Sequence, residues 1–238
     1  MSHLGYCMLG IFAMTPEGAT GSAYQMLNHG VSTGALFLLF GMLYERRHAR
    51  LMSDYGGIAK VMPVFSAMFL VVTFSSIAVP GTNGFVGEFL VLLGTVKSNL
   101  PMWMGIVAAT AVVLGAAYML WMVQKVFFGQ LTHQENLGLK DMNPREVLAA
   151  IPFLVLIVVM GLKPQPILDM LEGSTQRFIA RAQYASGAGV DDVRKVRVYV
   201  RELPPVAIAA QAPTAAPALA FPNRPLRVVP GTVLPGNP

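Results

Sequence analysis

The sequence predicts an all-α integral membrane protein, a bundle of about six membrane-embedded helical segments followed by a C-terminal tail of low order. Of 238 residues, 54% are hydrophobic and only 12% are charged. The mean hydropathy is +0.56, which exceeds what soluble domains carry. The charges also collect at residues 45–60, 135–146 and beyond 169. Because soluble helices need charge along one face, this segregation indicates spans in lipid.

The same composition excludes several classes of protein. The net charge of +5 lies mainly in loops and tail, where positive-inside bias is its ordinary cause. No basic groove with interleaved aromatic residues is present, so nucleic-acid binding is not expected. The single Cys7 precludes an internal disulfide and does not indicate a metal cluster. The N-terminus lacks the basic region and cleavage site of a signal peptide.

The first two apolar runs differ in length. Residues 4–14 are about half of the roughly twenty residues that a spanning helix needs, so we expect the chain to begin inside a span. Such a beginning is typical of a fragment or of an internal start codon. Residues 19–43 form a full second span, which ends at a polar interfacial loop from Glu45 to Arg50.

Residues 62–79 are predicted to form the third span, and a fourth apolar run covers residues 85–96. Residues 102–128 and 147–162 are the fifth and sixth predicted spans. Trp103 lies near the start of the fifth run, where an interfacial aromatic side chain is expected. Pro164 and Pro166 should stop the sixth helix.

The tail is mixed and charged after about residue 174, with a short amphipathic helix expected near Phe178 to Tyr184. Residues 204–238 are rich in Pro, Ala and Val, which is typical of disordered chain. We therefore predict a bundle over residues 1–172 and a partly disordered extension over 173–238; the extension alternatively carries no function.

The fourth run is interrupted at its start by PGTNG at residues 80–84. Its twelve residues cover about 18 Å as a helix, whereas the hydrocarbon core measures about 30 Å. Either the run is not a full span, or residues 80–84 lie at membrane depth. A non-helical backbone there must be buried in protein or line a wet cavity, and broken helices of this kind form ion sites in transporters.

Glu88 follows this interruption closely and is the leading candidate for proton translocation. An acidic group exposed to lipid is costly, so it should face the interior of the bundle and pair, hydrate or take up a proton. The alternative is a carboxylate near the interface that is satisfied by the amino end of its helix.

His29 is the second candidate, about 15 Å into the second span and near the midplane. With Asn28, Ser32 and Thr33 beside it, an imidazole there can accept and pass a proton. The alternative is a neutral histidine that joins two helices by hydrogen bonds.

Lys97 and Lys125 end their runs, where lysines usually extend to the headgroups. Lys125 is a weaker site candidate because Gln124 and Tyr118 accompany it. His3 is too near the start to be judged. Positive-inside bias favours a cytoplasmic position for the loop around Arg46, on the same side as Lys97 and the basic tail. No phosphate cradle, nucleophile elbow or metal motif is present, so movement of protons or cations is the chemistry that remains.

Several motifs resemble a known family. They are SHLGY at residues 2–6, QMLNHG at 25–30, LYERRH at 43–48, YGG at 55–57, PGTNGFVGEF at 80–89, FFG at 127–129 and PQPILD at 164–169. Together they are similar to the M-type (chain 4) antiporter-like subunits of NADH-quinone oxidoreductase, respiratory complex I. The resemblance covers roughly residues 2–172.

The resemblance implies a proton-translocating subunit of fourteen helices built from two inverted repeats. Glu88 occupies the acidic position of the broken helix, His29 the histidine position on the hydrated axis, and His48 matches a histidine of the following loop. It also implies a multi-pass protein of the inner membrane that contacts the lipid bilayer and the L- and N-type subunits. This chain would bind no cofactor; NADH, FMN, Fe–S clusters and quinone belong to partner subunits.

The departures from the family keep other functions open. The lysine–glutamate pair of the first repeat has no counterpart, residues 174–238 do not resemble the usual short ending, and Lys163 stands where relatives tend to carry an aromatic residue. One alternative is a subunit of a multi-subunit Na⁺/H⁺ antiporter or membrane-bound hydrogenase. Another is a fragment that folds and transports nothing.

Overall fold

The structure is a computed structural model that describes residues 2–131 and 133–185, with the backbone alone for 184 and 185. Within that part all regular structure is helical, which confirms the all-α prediction. The helices are α1 (Ser2–Phe12), α2 (Pro16–Arg47), α3 (Pro63–Ser76), α4 (Asn83–Lys97), α5 (Met102–Phe127), α6 (Pro144–Leu162) and α7 (Gln165–Ala185). The first six coincide with the six apolar runs.

Local sequence signals set the ends of the long helices. Thr15 precedes α2 and its hydroxyl accepts a hydrogen bond from the Gly18 amide at 3.2 Å, as an N-cap residue should. At the other end His48 adopts a left-handed conformation with φ 50°, which terminates the helix. Helix α6 begins with a capping box in which Asn143 and Glu146 satisfy each other's backbone amides,.

The helix expected near Phe178 to Tyr184 is present and begins earlier than predicted. Helix α6 ends at Leu162 as the prolines suggested, but α7 begins at Gln165 and continues for 21 residues. Pro166 is tolerated because a proline in the first turn of a helix removes no intrahelical hydrogen bond. The predicted boundary between residues 172 and 173 falls inside this helix. Residues 186–238 lie outside the described part of the chain.

Helix α2 is the central element of the described bundle and packs against α1, α3, α4, α6 and α7. Its 32 residues span about 48 Å. The contact with α4 is the most extensive, and small residues make it close. A Cβ atom on Gly94 would collide with the backbone of Gly18, and one on Gly21 with the backbone of Leu90. Such small-residue contacts are typical of helices that pack within membranes.

Helices α3 and α4 make one broken pass along α2. Helix α3 ends beside the middle of α2, where Ser75 Oγ lies 2.5 Å from Ser32 Oγ. Helix α4 begins at the same level, since Asn28 Nδ2 donates to the Asn83 carbonyl at 2.8 Å. Each of the two helices has 15 residues or fewer, too short to cross about 30 Å alone. The predicted interruption is therefore at mid-depth, and residues 62–79 do not form a full span.

The broken pass corrects the predicted positions of the charges. Lys97, at the end of α4, pairs with Glu17 at the start of α2, with 2.5 Å between Nζ and Oε1. Arg46 lies at the opposite end of α2 and pairs with Glu146 at 2.5 Å. The two sites are about 43 Å apart along the helix. Lys97 and the arginine loop thus lie at opposite ends of the bundle, because α3 and α4 cross once rather than twice.

Helices α2, α5 and α6 are long and apolar enough to cross a membrane. Most of α5 is exposed in this chain, and Trp103, Val113 and Leu114 are each more than half exposed. The hydrophobic core lies nearer the end of the bundle that carries Arg46, called the arginine end below. There Phe127 stacks on Phe65 with ring centroids 5.9 Å apart. In the loop before α3, burial raises the pKa of Tyr55, whose hydroxyl donates to the Ala49 carbonyl at 2.8 Å.

Candidate functional site

Glu88 lies on the second turn of α4 and is only 6% exposed. Its Oε1 accepts a hydrogen bond from Gln25 Nε2 at 3.4 Å. Gly87 allows this approach, because a Cβ atom there would collide with the amide groups of Gln25 and Asn28. The carboxyl group therefore faces the interior of the bundle, as the cost of an acidic group in hydrocarbon requires.

A buried network of polar side chains lies beside Glu88 where α3 ends and α4 begins. Ser75 Oγ donates to Asn83 Oδ1 at 2.5 Å, and Asn83 Nδ2 lies 3.4 Å from Ser32 Oγ. Asn28 Nδ2 contacts Gln25 Oε1 at 3.3 Å, and Gln25 in turn reaches Glu88. The network ties the broken pass to α2 and holds the turn of α4 that carries the carboxyl group.

Two histidines connect Glu88 to the exposed face of α2. His3 Nε2 lies 3.7 Å from Glu88 Oε1 and 3.1 Å from the Ser76 carbonyl oxygen. On the other side of the ring, His3 Nδ1 lies 3.2 Å from His29 Nδ1. His29 Nδ1 is also 3.0 Å from Thr33 Oγ1. His29 is exposed in this chain, whereas His3 is half-buried between α1, α2 and α3.

The donors and acceptors fix how protons are arranged along this path. A carbonyl oxygen only accepts, so His3 Nε2 carries the proton that bonds to Ser76. In neutral His3 the other nitrogen, Nδ1, then accepts, and His29 Nδ1 is the donor. When a proton moves from His29 Nδ1 to His3 Nδ1, His3 becomes an imidazolium. It can then release the proton on its other nitrogen, Nε2. The histidine pair can thus pass a proton without rotation of either ring.

The two weaker candidates lie elsewhere. Lys125 is on the last turn of α5, exposed, with its Nζ 5.1 Å from the centre of the Trp121 ring. His48 ends α2, about 28 Å along the helix from His29, and packs edge-on against Tyr44. Neither is brought to Glu88, and Lys97 is held by Glu17.

Sequence reasoning missed His3 and gave no role to Asn83. His3 is the second residue of α1, and its approach to Glu88 depends on how α1 packs against α2 and α3. Asn83 carried a usable signal, since an amide inside an interrupted apolar run needs several partners. In the described residues, no three side chains from His, Cys, Asp and Glu converge as metal ligands would.

Comparison with known proteins shows which proteins the chain resembles. Residues 1–115 match the family model described as the NADH:quinone oxidoreductase/Mrp antiporter transmembrane family. Subunit M of the NADH-quinone oxidoreductase from Rickettsia conorii is 39% identical over 181 residues, which are 76% of this chain and 36% of that protein. The chain thus spans about a third of the length of the relatives it matches.

Two solved structures share the fold. Respiratory complex I from Thermus thermophilus with bound NADH contains a chain that matches with a TM-score of 0.70 and 35% identity, covering 75% of this chain and 37% of that one. An archaeal membrane-bound sulfane sulfur reductase contains a second, with a TM-score of 0.62 and 23% identity over 71% of this chain and 32% of that one; this likeness concerns the fold alone. With its apolar helices, the chain is a multi-pass protein of the inner membrane. Residues 1–115 are similar to the NADH:quinone oxidoreductase/Mrp antiporter transmembrane family, and the chain resembles about a third of subunit M of NADH-quinone oxidoreductase.

Proposed function

We propose that this chain is part of the proton-translocating membrane subunit of an NADH:quinone oxidoreductase, respiratory complex I. The observation that carries the proposal is the buried Glu88 at a helix break in the middle of the bundle, joined to the pair His3 and His29. The similarity to subunit M supports the assignment to this complex.

Glu88 is the group that takes up and releases the proton. A buried carboxyl group is costly as an anion and is satisfied when it is protonated or when a cation approaches. A proton that arrives through His29 and His3 neutralises the carboxylate, and its release restores the charge. Because the network of Asn83 and Gln25 fixes the carboxyl group, the transfer needs little rearrangement.

In this proposal the electron transfer takes place in partner subunits. We expect NADH, FMN, Fe–S clusters and quinone there, and L- and N-type antiporter-like subunits as membrane neighbours. The exposed His29 and the half-buried Thr33 give α2 a polar patch at mid-depth in this chain, which suits a further helix that continues the proton path. Lys125 and His48, at the arginine end of the bundle, are candidates for proton exchange with water there.

The test uses inside-out membrane vesicles that contain the assembled complex. Glu88→Gln keeps the shape of the side chain and removes its titration. We expect the rate of NADH-driven proton uptake to fall by about a hundredfold, the lower end of what a positioned acid–base group supplies. Glu45→Gln is the control, because Glu45 is exposed near the end of α2 and away from Glu88. This variant should take up protons as the parent protein does. Unchanged proton uptake in Glu88→Gln would reject the assignment of Glu88.

A second candidate is a subunit of a multi-subunit Na⁺/H⁺ antiporter or hydrogenase-like complex. The family description includes Mrp antiporters, and the archaeal reductase has the same fold. In that case proton movement would depend on a sodium gradient or another reductant and would persist without NADH. If vesicles took up no protons under either condition and Glu88→Gln changed nothing, the chain would be a non-transporting fragment.

A further inference from the structure

Beside Glu88 lies a small cleft between α1, α3, α4 and α5 that the path described so far does not use. His3, Tyr6, Ser76, Glu88, Gly115 and Tyr118 are among its lining residues. The volume open to the centre of a water molecule is about 10 Å³, which is about what one buried water needs.

One polar atom in this cleft has no partner. Ser76 Oγ is buried and makes no hydrogen bond within the described part of the chain, although buried hydroxyl groups are normally satisfied. The Tyr6 hydroxyl, which belongs to another residue that lines the cleft, donates its proton to the Ala108 carbonyl. The Ser76 hydroxyl lines the cleft without a partner among the described residues, so a molecule in the cleft can satisfy it,.

The two groups that must exchange a proton are also too far apart to do so directly. His3 Nε2 and Glu88 Oε1 are 3.7 Å apart, beyond the length of an N–H···O hydrogen bond. A polar separation above about 3.5 Å is the usual sign of a bridging water. The Ser76 carbonyl holds the His3 ring at 3.1 Å, so the ring does not simply move towards Glu88.

We propose that Ser76 Oγ holds a single water molecule that bridges His3 Nε2 and Glu88. This water has the two to four polar partners that a buried water requires: the Ser76 hydroxyl, the Glu88 carboxylate and the His3 ring. Ser76 is a positioning residue, because it orders the water and does not itself change protonation.

The bridge completes a proton transfer that balances; this step rests on the proposed function. At the start His29 is an imidazolium, His3 is neutral with its proton on Nε2, and Glu88 is a carboxylate. The His29 Nδ1–H bond breaks as a proton joins His3 Nδ1, and the His3 Nε2–H bond breaks as that proton joins the water oxygen. The water gives one of its own protons to Glu88. Both histidines end neutral, Glu88 ends protonated, and one proton has moved.

Infrared difference spectroscopy of the assembled complex in lipid tests the water site without relying on transport. The spectra are recorded across a pH step in ordinary water and in ¹⁸O-labelled water, and Glu88→Gln identifies the carboxyl C=O band. We expect an O–H stretching band of bound water that shifts with ¹⁸O. Ser76→Val should lose this band and shift the Glu88 C=O band. Ser76→Thr introduces a side chain of the same shape as valine but keeps the hydroxyl, so it should retain both bands.

Thr73→Val is the matched control on the same helix, since it also exchanges a hydroxyl for a methyl group. The Thr73 hydroxyl donates to the Phe69 carbonyl of its own helix at 2.9 Å, so its loss should leave the water band unchanged. No ¹⁸O-sensitive band in the parent protein, or an unchanged band in Ser76→Val, would overturn the water site. A band that depends on Ser76 in a protein whose proton uptake is insensitive to Glu88→Gln would support the site and reject the proposed function.

Discussion

His3 contacts both the His29 ring and the region of Glu88, so it is the point through which the proposed path passes. We predict that His3→Gln lowers the rate of NADH-driven proton uptake by about a hundredfold. A glutamine amide can hydrogen-bond but cannot bind and release a proton near neutral pH, as imidazole does. Inside-out vesicles measure the effect.

The control for this prediction is His133→Gln, the same substitution in a loop where His133 contacts the Ser53 carbonyl. It should pump as the parent protein does. Parent-like uptake in His3→Gln would mean that protons reach Glu88 by another route.

Single residues also mark how far the sequence could predict the site. Glu88 could be found from sequence because an acidic residue in an apolar run must face the interior of the bundle, where it can pair, hydrate or take up a proton. Its burial at the break agrees with this expectation. His3 could not be found from sequence, since its neighbours are 26 and 85 residues away along the chain. No local pattern encodes a contact that arises when α1 packs against the broken pass.

At the scale of elements, the approach of α2 and α4 is what brings Gln25 and Glu88 together. We predict that Gly94→Ala destabilises the protein by about 1–3 kcal/mol, the usual cost of forcing extra volume into a packed contact. Its Cβ would meet the backbone of Gly18, and a backbone cannot move aside as a flexible side chain can. Denaturant titration in detergent, followed by helical circular dichroism, measures the change.

Gly115→Ala on α5 is the matched control, because its Cβ would meet only the Tyr118 ring at 3.9 Å. It should be neutral or stabilising by up to about 1 kcal/mol, since alanine favours the helix more than glycine does. Equal unfolding midpoints for the two variants would contradict the close contact between α2 and α4.

Elements also differed in how well the sequence defined them. The end of α6 was predicted from the prolines that follow it. Thr15 and Asn143 are further local signals, which mark the starts of α2 and α6 and which the prediction did not use. The start of α7 at Gln165 was not predicted, because two prolines within three residues favour a stop as readily as a new first turn. The choice depends on packing: Thr175 of α7 contacts Thr20 of α2 at 2.9 Å.

At the scale of the whole described bundle, both ends are polar, and a separate layer of polar side chains lies between them. Arg46 bonds to Glu146 and to the Lys140 carbonyl at one end, and Lys97 pairs with Glu17 at the other. Between them the helix break and its network lie level with the middle of α2. Glu88 contacts Gln25, which lies about 12 Å along α2 from Glu17 and about 32 Å from Arg46. The carboxyl group therefore lies inside the bundle, nearer to the end that carries Lys97 than to the end that carries Arg46.

The positions of the two ends lead to a prediction about topology. Glu45 and Asn99 are both exposed, one at each end of the bundle. In right-side-out and inside-out vesicles, we predict that a membrane-impermeant maleimide labels Glu45→Cys from one face only and Asn99→Cys from the opposite face only. The native Cys7 is buried at 3% exposure and should stay unlabelled, as a Cys7→Ala background checks. Labelling of both sites from the same face would mean that α3 and α4 cross the membrane separately. The break would then lie at an interface, and Glu88 would no longer lie within the membrane.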